Sequence, residues 1–265
     1  MKNKKILITG ASGMVGHYLV QKCMDRGYNV RATDLRYNEI FDKYFADTFE
    51  FVKADLRNFN ECKEVVKGID VVFNVAGVKG SPKRATKKPN DFFAPVLQFN
   101  TNMMEAARLE NIEWYVYTST CGVYAPTDRM VEDDVWKTFP GKNDWYPAWA
   151  KRIGELQAEC YKVHYGLENI SIVRPANIYG RGDNFGEDSM VIPSIIKRIC
   201  DGENPLVCWG DGTPIRDFIY AGDVADGILL CYDKKIIEPI NLGSGNGFTI
   251  KELVETISDV YGKDV

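Results

Sequence analysis

The stretch "NDWYPAWAK", from Asn143 to Lys151, holds a phenol and an ammonium five residues apart with a proline between them. A free tyrosine titrates near pKa ~10, so drawing Tyr146 toward neutrality takes about 4 kcal/mol of phenolate stabilisation, and a nearby cation supplies help of that kind. Such a pair could pass a proton as general acid and base. Spacing decides whether the two meet. On an unbroken helix, residues five apart point about 140° away from each other, and residues four apart only about 40°. The position four before Lys151 is Pro147. Proline suits the first helical position and pushes its predecessor out of the helical region. The spacing therefore predicts a helix opening at Pro147, with Tyr146 just outside it and free to fold its ring back over the first turn. An aromatic helix-entry contact beside Trp145 is the competing reading.

A second motif handles anions. "ITGASGMVGHYL" sets Gly10, Gly13 and Gly16 between a strand and a helix. The first glycine permits a tight turn, the second lets backbone approach a diphosphate, and the third lets helix and strand pack closely. The amides of Ser12, Met14 and Val15 would then face the anion with the helix dipole behind them. An acid belongs about 20 residues further on in such a site, and Asp34 closes "NVRATD" there. Its carboxylate can accept both ribose hydroxyls and would repel a 2′-phosphate, which favours NAD over NADP, although Arg36 keeps NADP open. Asp55 and Leu56, ending the next strand, would lie beside the adenine, and Val75, Ala76 and Gly77 of "NVAG" beside the cofactor's middle. Each alone also reads as a strand-end turn. Their ordered succession favours a dinucleotide site.

The elements that must position these groups are short apolar runs alternating with helical patterns. "ILIT", "NVRATD", "FEFVKAD", "DVVFNVAG", "WYVYTST" and "ISIVRP" read as strands, and Met14 to Arg26 as an amphipathic helix closed by Gly27. Buried runs separated by helices predict an α/β fold, a Rossmann-type doubly wound parallel sheet. After Pro175 long Gly-, Asn- and Asp-rich loops lead to an apolar helix near Ile192–Cys200 and then to Thr249 with Glu252, a capping box. This predicts a cofactor domain over 1–174, with segments returning near 217–243, and a smaller substrate lobe over 175–265. The net charge of −4 argues against a nucleic-acid surface. Seven scattered cysteines without C-x-x-C, and only two histidines, argue for free thiols and against a metal site. No export signal or bilayer-length apolar run is read, which points to the cytoplasm.

Taken together, "GASGMVG", "AGVKGS", "NTNMMEAA", "TSTCGVY", "RPANIYGRGDNF", "MVIP" and "WGDGTPIRDF" resemble the extended short-chain dehydrogenase/reductases that act on nucleotide sugars. The likeness covers nearly the whole chain and is nearest to the GDP-L-fucose synthases. It implies that Thr120 hydrogen-bonds the sugar hydroxyl being oxidised. It implies that Lys151 binds the nicotinamide ribose and lowers the pKa of the catalytic tyrosine, here Tyr146. Thr118, Pro175, Asn177 and Ile178 would border the nicotinamide, with Asn177 and Val191 also facing substrate. Arg198, Trp209 and Arg216 would hold the nucleoside diphosphate, a GDP-sugar as first candidate. Lys79, opening the basic loop "KGSPKRATKKP", could face a phosphate or an acidic sugar group, or the loop is only solvated. The "NTNMMEAARL" helix is core, or, as the resemblance implies, the contact of a homodimer. The resemblance also implies a chain that continues beyond "VYGKDV".

Two departures restrict the chemistry that the resemblance implies. Gly122 and Met190 stand where the GDP-L-fucose synthases carry a cysteine and a histidine that invert the sugar at two carbons, and neither residue can move a proton. Cys121 adjoins the first position, but strand neighbours face opposite sides. The dehydratases' Asp-Glu pair is Cys121-Gly122 here. What survives is hydride transfer at one carbon, C4, by an epimerase, a ketoreductase or a dehydrogenase. The rival reading is a nucleotide-binding sensor or scaffold of the same fold.

Overall fold

All six apolar runs become strands of one sheet. The computed structural model describes residues 4–45, 49–208 and 210–262. The first part of the chain runs β1 (Lys5–Thr9), α1 (Met14–Asp25), β2 (Asn29–Asp34), α2 (Ile40–Phe45), β3 (Glu50–Lys53), α3 (Phe59–Val66), β4 (Val71–Asn74), α4 (Pro82–Lys87), α5 (Phe93–Glu110) and β5 (Trp114–Thr118). It continues through α6 (Trp145–Tyr165), β6 (Ile170–Pro175), β7 (Asn177–Tyr179), α7 (Val191–Cys200), β8 (Ile215–Arg216) and β9 (Phe218–Tyr220). Then come α8 (Ala221–Lys234), β10 (Ile240–Leu242), β11 (Phe248–Thr249) and α9 (Ile250–Tyr261).

The main sheet has the order β10-β6-β5-β4-β1-β2-β3, and every pairing in it is parallel. Side chains alternate across it as strand geometry requires. Ile6 and Ile8 enter the core on one face with Phe73, Val116 and the apolar sides of α1 and α8. Leu7 and Val72 enter the opposite core with Tyr115, Ile172 and the apolar sides of α3, α5 and α6. Helices therefore cover both faces, which is why the strands carry continuous apolar runs. The chain turns back between β1 and β4, and a crevice opens at the strand ends where the order reverses.

The remaining strands are short. β7 pairs with β9 in parallel and β8 with β11 in antiparallel, each in its own two-stranded sheet. Thr249 and Glu252 form the capping box that opens α9, as their spacing predicts. The basic stretch from Lys79 to Pro89, expected as a loop, instead contains α4. Ser81 caps it by accepting from Arg84 N, and Pro82 fills its first turn, where no amide partner is needed.

Candidate active site

The glycine turn is closed to side chains. Gly10 has φ +61°, and a Cβ there would stand 2.7 Å from Ala76 Cα, so the turn lies directly against the exit of β4. A Cβ on Gly16 would stand 2.2 Å from Gly10 O, which fixes how closely α1 approaches β1. Gly13 caps α1 without a side chain, and the first turn holds no acid, so the amides of Met14 and Val15 face outward with only the helix dipole behind them. That is an anion site made of backbone.

Asp34 ends β2 beside it. One carboxylate oxygen accepts Ser12 N–H at 3.1 Å and the other Leu35 N–H at 2.7 Å. Loss of hydration pushes its pKa up, while the Leu35, Ser12 and Arg36 amides pull it down. The Ser12 hydroxyl donates to Arg36 O at 2.6 Å, so the loop carrying Arg36 is tied to the glycine turn. Asp55 is held by Arg57, with 2.8 Å from Nε to Oδ1, and this partner lowers its pKa. Leu56 beside it is buried. Val75, Ala76 and Gly77 follow β4 into the crevice, and Ala76 N–H is held by Thr9 Oγ1 at 3.3 Å. Thr118, the last residue of β5, has a buried hydroxyl with no partner among the described residues. A cradle that any Cβ would fill and an orphaned hydroxyl at the same strand ends fit a bound dinucleotide.

Lys151 reaches these strand ends from α6. Its Nζ donates to Thr118 O at 2.6 Å and lies 3.5 Å from Ala76 O. Burial lowers its pKa to about 8, with the Glu155 carboxylate one turn further along working against that shift. Glu155 is itself fixed in a buried pair with Arg174 at 2.8 Å and accepts the Ser119 hydroxyl at 2.5 Å. Breaking such a pair is costly, of order 3–5 kcal/mol, so the helix face carrying Lys151 is held in place. Thr120 lies two residues beyond Thr118, with Oγ1 accepting Gly122 N–H at 3.2 Å.

Tyr146 departs from expectation. Helix α6 opens at Trp145, not at Pro147, because the first turn of a helix has amides without partners and tolerates proline there. Tyr146 is thus inside an unbroken helix, about 140° around from Lys151. It is 45% exposed and packs its ring edge-on to Phe93 with centroids 6.5 Å apart. Among the described residues no hydrogen bond joins it to Lys151 or Thr120. Cys121 departs as well. The strand ends at Thr118, and Cys121–Val123 form a 3-10 turn, so strand alternation does not govern that thiol. It interacts with Thr120, Asp144, Asp217 and Arg216, and burial pushes it up to about 11.

The expected substrate residues fare unequally. The Lys79 ammonium is taken by Asp183 at 2.7 Å, a carboxylate only 4% exposed. Arg198 spends its guanidinium on Glu203, with 2.7 Å from Nε, and on Val207 O at 2.6 Å. Asn177 ties β7 to the next segment by donating to Asp217 O at 2.9 Å. Pro175 is buried at the end of β6, while Ile178 and Val191 are half-buried. Arg216 is exposed, donates to Ile215 O at 2.7 Å, and its charge acts on Asp144 and Cys121. Trp209 lies outside the described residues.

One residue in the cleft went unread in the sequence. Asp144 is the N-cap of α6, yet its side chain makes no capping bond. A Cβ on Gly122 would stand 3.4 Å from both Cβ and Cγ of Asp144, and 3.6 Å from Thr120 Oγ1. Loss of hydration raises the Asp144 pKa, and Arg216 works against it. The legible signal was Pro147. It has no amide for an Asp three residues earlier to cap.

Comparison with known proteins agrees with this geometry. Residues 6–243 match the NAD dependent epimerase/dehydratase family, and the chain belongs to that family. It is 28% identical to GDP-L-fucose synthase 1 of Arabidopsis thaliana over 98% of this chain and 79% of that one. It is also 28% identical to GDP-mannose 3,5-epimerase of the same plant, over 97% of this chain and 69% of the other. Among solved structures, a UDP-N-acetylglucosamine 4-epimerase from Methanobrevibacter ruminantium superposes with a TM-score of 0.87 at 25% identity, covering 100% of this chain and 84% of that one. The UDP-glucose 4-epimerase of Thermus thermophilus, solved with NAD, gives 0.82 at 27% identity over 98% of this chain and 84% of that one.

Proposed function

We propose that the protein is an NAD-dependent oxidoreductase or epimerase acting on a nucleotide-diphosphate sugar, with hydride transfer at C4. The observation that carries this is a convergence at the exits of β4 and β5. The Lys151 ammonium, the unpartnered Thr118 hydroxyl and the Thr120 hydroxyl follow one another there, beside the glycine cradle. When bound, NAD would supply hydride transfer at its nicotinamide ring. Lys151 would hold the nicotinamide ribose, and its pKa of about 8 keeps it mostly charged at neutral pH. Thr120 would orient the sugar hydroxyl. The Asp34 carboxylate, already facing the Ser12 amide, would take the adenosine ribose hydroxyls and favour NAD over NADP. Asp34→Ala should narrow that preference. Arg216 would meet the diphosphate of the substrate.

Relatives named for GDP-sugars make a GDP-sugar the first candidate, and similarity to UDP-sugar 4-epimerases supports C4 as the reacting carbon. Gly122 and Met190 carry no proton, so inversion at C3 and C5 is not part of the reading. Leu109 on α5 and Ile153, Leu156 and Val163 on α6 are exposed, and they support a homodimer through that face. Among the described residues no helix is long and apolar enough to cross a membrane.

Thermal-shift measurement with NAD and NADP against GDP-, UDP-, dTDP- and CDP-sugars identifies the ligand pair. Incubation of that pair in D2O, followed by NMR of the product, then locates the chemistry. A change confined to C4 is expected. Solvent deuterium at C3 or C5, or stabilisation by no dinucleotide, would overturn the reading.

A further inference from the structure

The catalytic lysine has no phenol on its own helix face. Counting back from Lys151, the position one turn earlier is Pro147, which holds no proton. Tyr146 faces Phe93. Asp144 stands seven residues before Lys151, at the N-cap where the 3-10 turn Lys142–Asp144 runs into α6. It lies at the mouth of the helix that carries the lysine.

Three independent features direct its carboxylate into the cleft. Aspartate at an N-cap ordinarily accepts the amide of the second or third helical residue. Here the third is Pro147, without an amide, and the Asp144 side chain makes no capping bond. It lies instead beside Gly122, where an added Cβ would touch Asp144 Cβ and Cγ at 3.4 Å, an ordinary van der Waals contact. Thr120 Oγ1 flanks the same point at 3.6 Å. A hydroxyl placed over Gly122 would touch both groups. Arg216 on β8 is the facing charge that acts on Asp144, and the Cys121 thiol lies alongside, within reach of Asp144, Arg216 and Asp217.

We propose that Asp144 is the proton-transfer residue of this site, standing in for the phenol that Pro147 displaces. The inference rests on the oxidoreductase reading above. The sugar O–H bond breaks, and its proton passes to a carboxylate oxygen of Asp144. The carbon's C–H electron pair leaves as hydride to the bound nicotinamide dinucleotide, the oxidant, and the C=O bond forms. In the reducing direction Asp144 returns the proton. Thr120 donates to or accepts from the same oxygen and fixes its position.

The test compares Asp144→Asn with the unmutated protein, using the nucleotide sugar that the thermal-shift screen selects. Turnover is followed by nicotinamide absorbance, and NAD and sugar affinities by calorimetry. Asparagine keeps the shape and loses the proton-accepting function. The expected result is a loss of turnover of at least about a hundredfold, with both affinities within about threefold of the unmutated values. Asp144→Glu should recover part of the rate. Asp144→Asn turning over at near-normal rate would overturn the inference while leaving the oxidoreductase reading intact. So would a comparable loss in Tyr146→Phe with Asp144→Asn unaffected, since the proton would then travel through the phenol. An unmutated protein that binds NAD and turns over no sugar would overturn both.

Discussion

On the proposed reading, the cofactor half and the substrate half of the cleft are built from different materials. Around the glycine turn, recognition is written in backbone: outward amides at the start of α1, a positive φ at Gly10, and strand ends fixed by the register of β1 with β4. Around the proposed nucleoside-sugar end it would be written in long side chains: Lys79 between β4 and α4, Arg198 on α7 and Arg216 on the two-residue β8. Backbone geometry is set by the sheet and needs no side-chain choice, so it is ready before any ligand arrives. Long charged side chains pair with one another when no ligand is present. Lys79 is taken by Asp183 and Arg198 by Glu203. On the proposed reading the first half is preorganised, and Lys79 and Arg198 in the second would have to exchange partners to bind.

The sharpest way to break this contrast is to put a side chain into the cradle. Gly16→Val would place carbon atoms against Gly10 O, where even a Cβ stands at 2.2 Å. Overpacking of this kind costs ~1–3 kcal/mol, so the melting temperature should fall by about 5 °C. The NAD-dependent thermal shift should disappear altogether. A variant that still binds NAD normally would show that the cradle is adaptable and the contrast false.

Lys151→Met sharpens it from the middle of the site. Turnover should drop by about 10²–10⁴-fold. Stability at pH 7 should hold or rise, because a buried charge is removed. The folded pKa of about 8 lies below the ordinary 10.5, so the folded protein releases this proton before the unfolded chain does. Its burial therefore costs stability below about pH 8, and that cost is relieved progressively as pH rises from about 8 toward 10.5. The charged form is also lost over that rise, so activity of the unmutated protein should decline above about pH 8 while its folding does not. Parallel pH–rate and pH–melting curves check both signs.

The smallest effects belong to the substrate lobe. Arg216→Ala should weaken nucleoside-diphosphate binding by about tenfold, the scale of one charge-assisted hydrogen bond. Arg198→Ala should weaken it by only about threefold, since that guanidinium already serves Glu203 and Val207. Calorimetry with GDP and UDP measures both. The reverse order would mean that the Arg198 pair opens for the ligand and that the lobe is preset around it.

Much of this was legible in the residues. The parallel sheet followed from continuous apolar runs broken by helical patterns, and all six strands lie where those runs are. The glycine turn, the acid after β2 and the capping box of α9 are local devices, dictated by which backbone angles and hydrogen bonds a short segment can adopt. Such features need only their neighbours in sequence, so sequence suffices for them.

Tertiary structure decided the rest. Whether α6 opened at Trp145 or Pro147 turned on a 3-10 turn running directly into the helix, and those two residues rotate Tyr146 away from Lys151. The strand rule placed Cys121 on the side opposite Gly122, but the chain leaves the strand at Thr118 and both residues lie in one 3-10 turn. Lys79 and Asp183 stand far apart in sequence, as do Gly122 and Asp144, and only the packed chain sets one beside the other. Local sequence fixes a residue's own conformation. Which charge meets which, and which carboxylate borders which turn, depends on contacts between distant segments.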